Sequence, residues 1–161
     1  MAKKTKTLAM KVLEGKKVAY KTAVYPKTLR DAEEIAALLQ FPPEQVFKTL
    51  VVKPPKENPR AKPMLVMIPA NRQLNLKLLA TAVNAKKLKM ASHREAEAMT
   101  KLQVGGISPL ALLNKGFLIF LDSSAQNLDN IIISAGVKGI QIILPVTDFI
   151  NVTQARYVDS N

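Results

Sequence analysis

The sequence of 161 residues has no cysteine and no tryptophan, and its only histidine is His93. Without a thiol, disulfides, thiolate metal sites and a cysteine nucleophile on the protein are excluded. One imidazole rules out a histidine metal cluster. Aromatic residues make up 5% of the chain, too few for a broad base-stacking platform. No segment approaches the roughly 20 apolar residues of a membrane span. The stretch MAKKTKTLAMKVLEGKK has no apolar run of signal-peptide length, so a cytoplasmic location without a membrane partner is expected. Walker and dinucleotide glycine loops, a G-x-S-x-G elbow and a paired-acid metal motif are all missing. An enzyme built from this chain would work with no metal, no cofactor, no thiol of its own and no evident histidine base.

Positive charge is abundant. Lys and Arg number 24 against 12 Asp and Glu, a formal net charge of +12. Such a balance favours polyanionic partners, through attraction and counterion release, although a basic solvated surface also fits it. With 48% hydrophobic residues, the length suits one domain, 1–161, with a core of its own.

Apolar spacing places helices at 5–14, 30–40, 75–84, Ser92 to Lys101 and from Thr147. Asn75 and the Ser92-x-x-Glu95 capping box open two of them. His93 falls in the first turn after that box and reads as a surface residue. Strands are expected at 18–25, 46–52, 64–70, 86–90, 117–122, 131–134 and 140–144, with KKLKM (86–90) as a basic edge strand. The loop Lys53–Pro63, KPPKENPRAKP, is stiff and exposed and joins two strands as a long-looped hairpin. It reads as a solubilising tip, with nucleic-acid contact as the alternative. Helices and strands are interspersed and several strands are apolar on both faces. The expected fold is therefore α/β (α+β), with a curved mixed sheet that is nearly closed.

Three features carry candidate chemistry. In VFKTLVV (46–52), Lys48 lies among apolar residues. An unpaired ammonium is costly to bury, so it must snorkel, pair or face a cleft. A lysine at the strand entrance with its head in water satisfies the pattern equally. In VGGISPL (104–110), Gly105 and Gly106 allow close backbone approach, and consecutive N–H groups could form an anion nest; a plain tight turn is the alternative. Ser134-Ala135-Gly136-Val137-Lys138-Gly139 reads as a hairpin turn or a pocket rim.

Taken together, VFKTLVV, VGGISPL and ISAGVKGI (133–140), with LNLKLLATAVNAKKLKMAS (74–92) and the strand carrying Tyr25, resemble the YbaK/EbsC family of aminoacyl-tRNA deacylases. That family is related to the editing domain of bacterial prolyl-tRNA synthetases. The chain is most similar to the free-standing Cys-tRNA(Pro) deacylases. The resemblance implies a barrel-like mixed sheet flanked by helices. It also implies hydrolysis of the ester on mischarged tRNA, with Cys-tRNA(Pro) favoured, Cys-tRNA(Cys) a further substrate, and Ala- or Ser-tRNA(Pro) alternatives. Lys48, Gly105, Gly106 and Ile107 match the catalytic positions, Lys48 holding the 3′ end rather than acting as a base. Tyr25, Thr49, Ser108, Ser134 and Gly136 match substrate-binding positions. The implied partners are the acceptor end of aminoacyl-tRNA and a prolyl- or cysteinyl-tRNA synthetase. A non-catalytic tRNA-binding module on the same fold is the competing reading. The chain departs from the family at Ala135 (usually glycine), Gln141 (Asp in some members) and LRDAEE before FPPEQ. These surround the expected pocket and leave amino-acid selectivity open.

Overall fold

The computed structural model describes residues 6–161. Helix α1 (Leu8–Gly15) starts where the Thr7 hydroxyl accepts the Met10 N–H, and buries Ala9, Met10 and Leu13. Residue 5, the expected start of this helix, lies outside the described residues. Strand β1 (Lys21–Val24) is shorter than the expected 18–25 and mostly exposed. Helix α2 (Ala32–Leu39) is capped by Asp31 and buries Ile35 and Ala36. Strands β2 (Phe47–Val52) and β3 (Met64–Pro69) pair antiparallel across the proline-rich loop, as the hairpin reading expects. Helix α3 (Leu76–Ala82) is capped by Asn75, and helix α4 (His93–Thr100) has both hydrogen bonds of the expected capping box. After a 3₁₀ turn at Pro109–Ala111 come β4 (Leu118–Asp122), β5 (Asn130–Ser134), β6 (Ile140–Pro145), α5 (Val146–Thr153) and β7 (Arg156–Val158).

The strands form two sheets. One is antiparallel, in the order β1-β6-β5. The other is mixed, in the order β2-β3-β4-β7, with β3–β4 and β4–β7 parallel. An isolated parallel bridge, Val46 to Ile132, links the two sheets, and they do not close into a barrel. The barrel-like sheet expected from the sequence is thus replaced by a mixed α/β arrangement of two sheets. The segment 86–90 is not a strand either. Only Met90 bridges β2, at Val52, while Lys86, Lys87 and Lys89 are exposed. Charged side chains on both sides of Leu88 leave the segment little apolar surface to pack as a pleated strand.

Strand β3 is buried at every position because both of its edges are paired and both faces are covered. Its Met67 joins Phe47, Leu121, Ile131, Ile133, Ile142, Leu144 and Phe149 in the main core, which lies between the sheets under α1 and α5. Its Met64, Val66 and Ile68 face the other way, onto Leu79 and Ala80 of α3. Each such side chain contributes about 1.5–3 kcal/mol on full burial, which makes β3 the firm support on which β2 is paired. Among the described residues no helix is long and apolar enough to cross a membrane.

Candidate active site

Alternation along β2 sends Val46, Lys48, Leu50 and Val52 to one face and Phe47, Thr49 and Val51 to the other. Val46 packs with Ala36, Ala70 and Ile132, whereas Leu50 and Val52 pack on the α3 cluster. Lys48 stands in the gap between these two apolar patches. It is half-buried, and its Nζ donates to the Ala70 carbonyl at 3.3 Å. Among the described residues the ion pairs are Lys6–Glu14 and Lys53–Glu95, so no carboxylate neutralises Lys48. An ammonium has three donors; the structure provides a protein acceptor for one.

The outer edge of β2 is open at this point. The Ala70 N–H bonds the Val46 carbonyl, which sets the phase of the antiparallel ladder. Residues 46, 48 and 50 therefore turn their amides to β3, and Phe47, Thr49 and Val51 turn theirs outward. The outward side is bridged at Val46–Ile132 and again at Val52–Met90. The Ala91 N–H takes the Val51 carbonyl at 2.9 Å. Between these ties the Thr49 N–H and C=O face a cavity of about 220 Å³ with no strand opposite. Its wall includes Arg30, Ile35, Lys48, Thr49, Val51, Met90, His93, Ala96, Gly105, Ile107 and Ser134.

The expected site residues separate into two groups. Lys48, Thr49, Gly105, Ile107 and Ser134 line this one cavity. Gly105 has φ +93°, a backbone shape that favours glycine. The Gly106 N–H donates to the Gln103 carbonyl at 2.8 Å, so the expected nest of consecutive amides narrows to those of Gly105 and Ile107, which have no partner among the described residues. The other group does not reach the cavity. Gly106 packs against the 136–138 turn, where an added Cβ would stand 2.9 Å from the Val137 carbonyl carbon. Gly136 lies on the same rear side of the loop, with Lys27, Lys101 and Lys138. Ser108 is fully buried, and its Oγ accepts the Leu110 N–H as cap of the 3₁₀ turn, so it holds the loop instead of lining the pocket. Tyr25 is 4% exposed; it borders a separate groove between α1 and β1, and its hydroxyl has no partner among the described residues.

Arg30, Met90 and Ala96 were not anticipated at the site. They arrive from three separate segments, and no local motif marks them. His93, expected at the surface, is exposed and stands on the cavity rim. The Asp31 carboxylate, also on the wall, caps α2 by accepting the Glu34 N–H. The Ser134 hydroxyl accepts the Gly136 N–H at 3.1 Å. No imidazole or carboxylate is hydrogen-bonded to the Thr49 or Ser134 hydroxyl among the described residues. No group of three His, Asp or Glu side chains among them is placed to hold a metal ion. What the arrangement offers is a cation, free backbone amides and a small, mostly apolar chamber.

Comparison with known proteins gives the following. Residues 26–152 match the family model of the aminoacyl-tRNA editing domain. A relative from Enterococcus faecalis, EbsC, named as a candidate Cys-tRNA(Pro)/Cys-tRNA(Cys) deacylase, is 35% identical over 99% of this chain and 97% of its own. A proline–tRNA ligase from Streptococcus thermophilus is 28% identical over 99% of this chain, which spans 24% of the ligase. Among solved structures, a hypothetical protein superposes with a TM-score of 0.83 at 20% identity, covering 95% of this chain and 98% of its own. A protein named as a candidate trans-editing enzyme for prolyl-tRNA synthetase superposes with a TM-score of 0.78 at 19% identity, covering 96% and 94%. At such identities these two likenesses speak for the fold.

Proposed function

The chain belongs to the aminoacyl-tRNA editing domain family, and from that premise we propose that it is a trans-acting deacylase that cleaves the ester of mischarged tRNA, Cys-tRNA(Pro) foremost. The observation that carries the reading is the meeting of Lys48 and the Gly105–Ile107 loop at one cavity. Lys48 binds the anionic 3′ end of the tRNA through the donors left free of Ala70. The Gly105 and Ile107 amides, which the protein leaves without a partner among the described residues beside this cavity, are the donors for a carbonyl oxygen that gains negative charge; one such donor is worth roughly 2.7–4 kcal/mol to the transition state. The Thr49 edge and the Ser134 rim orient the ester, and held geometry lowers the barrier further.

The nucleophile then comes from the substrate. In Cys-tRNA the cysteine thiol sulfur attacks its own ester carbonyl. A C–S bond forms, the C–O bond to the ribose breaks, and the thiol proton ends on the ribose oxygen, leaving a thiolactone and free tRNA. The small cavity, walled by Ile35, Val51, Ala96 and Ile107, suits a compact apolar or thiol side chain. Alanyl and seryl esters, with water as nucleophile, are the nearest alternatives. The match to proline–tRNA ligase supports tRNA(Pro) as the carrier and a prolyl- or cysteinyl-tRNA synthetase as a working partner. Within this reading the chain acts as a single editing domain, 1–161.

The test is a deacylation panel of Cys-, Ala- and Ser-charged tRNA(Pro) and Cys-tRNA(Cys). The expected result is loss of Cys-tRNA(Pro) fastest. Salt-sensitive tRNA binding with no ester loss from any of them would instead establish a non-catalytic binding module.

A further inference from the structure

Beside the cavity, the loop 53–63 and the segment 85–89 are joined into one cationic platform, and we propose that it holds the sugar-phosphate backbone of the RNA whose acyl end enters the cavity. The proposal rests on the deacylase reading and adds the surface that carries the RNA.

Charge is the first argument. Lys53, Lys56, Lys87 and Lys89 line a cleft of about 660 Å³ with Pro54 and Glu57. Arg60 and Lys62 extend the loop, and Lys86 the segment. The acidic residue is already engaged: the Glu57 carboxylate accepts the Lys86 N–H at 2.9 Å, and that bond holds its pKa below the usual value. Lys53 pairs with Glu95 at 3.0 Å. Lys56, Lys87 and Lys89 are exposed, and no carboxylate pairs with them among the described residues.

Rigidity is the second. The Lys53 N–H bonds the Lys89 carbonyl at 2.9 Å, and turns at Pro55–Asn58 and Asn58–Ala61 fold the loop back. With Glu57 tied to Lys86, loop and segment form one surface on which the backbone positions of these lysines are fixed relative to one another. A solubilising tip has no need of such ties. Pre-placed cations lose less entropy when phosphates bind.

Continuity is the third. Lys89 adjoins Met90, and Lys53 follows Val51 by two residues; Met90 and Val51 are cavity wall. A strand leaving the cavity over Met90 therefore meets Lys89 at once. The opposite flank carries Lys27, Lys101 and Lys138. There, Gly106 packs on the Val137 backbone and Lys138 lies beside Gly105, so this flank is the control surface for the platform.

The experiment compares Lys56→Ala/Lys87→Ala/Lys89→Ala with Lys27→Ala/Lys101→Ala/Lys138→Ala. Both are assayed on full Cys-tRNA(Pro) and on a cysteinylated CCA trinucleotide. The first variant should raise KM for full tRNA about tenfold or more, leave kcat unchanged, and flatten the dependence of log kcat/KM on log salt by about 2–3. The trinucleotide reaction and the thermal midpoint should stay at wild-type values. A wild-type KM and salt slope would overturn the proposal. So would a loss confined to the second variant, or equal loss on the trinucleotide. Should the wild type cleave neither substrate, the deacylase reading fails by itself. The platform is then read from binding of uncharged tRNA(Pro), where an unchanged Kd in the first variant overturns it.

Discussion

Two strands of the larger sheet, β2 and β4, each carry a single charge, and the two charges have opposite surroundings. Asp122 at the end of β4 is 4% exposed. One carboxylate oxygen accepts the Ser160 N–H at 3.2 Å, the Ser160 hydroxyl at 2.6 Å and the Asn161 amide at 2.9 Å; the other accepts the Ser124 N–H at 3.1 Å. Burial pushes its pKa up, but these hydrogen bonds prevail and leave it below the usual carboxylate range. Lys48, half-buried in β2, has one carbonyl partner and faces a cavity. A buried charge whose bonding capacity is filled ties chain segments together. A charge with donors to spare beside a cavity can bind something else. By this comparison Asp122 fastens the C-terminal segment and Lys48 serves the substrate.

The comparison can be broken from either side. The largest effect is expected from Lys48→Ala: a fall in kcat/KM on Cys-tRNA(Pro) of about 30-fold or more, as when a hydrogen-bonded charge is truncated at an interface. Its thermal midpoint should fall only slightly, because the residue removed has no ion pair among the described residues and a single long hydrogen bond, to Ala70. Asp122→Ala should behave the opposite way. Denaturant unfolding should show about 2–4 kcal/mol of lost stability, since several donors lose a charged acceptor, while activity per folded molecule stays near wild type. Full stability in this variant would remove the contrast. Gly106→Ala tests the loop's rear packing: the clash with Val137 should cost about 1–3 kcal/mol and lower kcat through displaced Gly105 and Ile107 amides, read by unfolding and turnover together.

The smallest effect concerns the acid behaviour of Glu95, whose pKa is lowered to about 2 by the Ser92 backbone N–H first and by Lys53 second. A depressed carboxylate pKa adds stability that is present above the unfolded value and lost as pH falls through the folded one. The wild type should therefore lose stability between about pH 4.5 and 2, with an unfolded carboxylate near 4.3. Glu95→Gln should make that fall shallower. Parallel acid-unfolding curves for the two proteins would count against the capping box as the cause.

Much of this was legible in local spacing. The β2–β3 hairpin, the Asn75 cap and the Ser92–Glu95 box depend on residues a few places apart, and each is formed. The division into two sheets was not legible, because the link is one bridge between Val46 and Ile132, distant in sequence. Strand β7 was missed because three residues, Arg156–Val158, carry little pattern until β4 offers them an edge. At the site, motif membership grouped Ser108 and Gly106 with Gly105 and Ile107, but adjacency does not say which way a group points. Pro109 begins a 3₁₀ turn that needs a cap, and Ser108 supplies it.

The most direct test of the account is the cleavage rate of Cys-tRNA(Pro) by Lys48→Met, which keeps a long apolar stem and removes the charge. If Lys48 holds the tRNA end by its ammonium, the rate at sub-saturating tRNA falls about 30-fold or more while the fold stays intact. A wild-type rate from a folded Lys48→Met protein would contradict it.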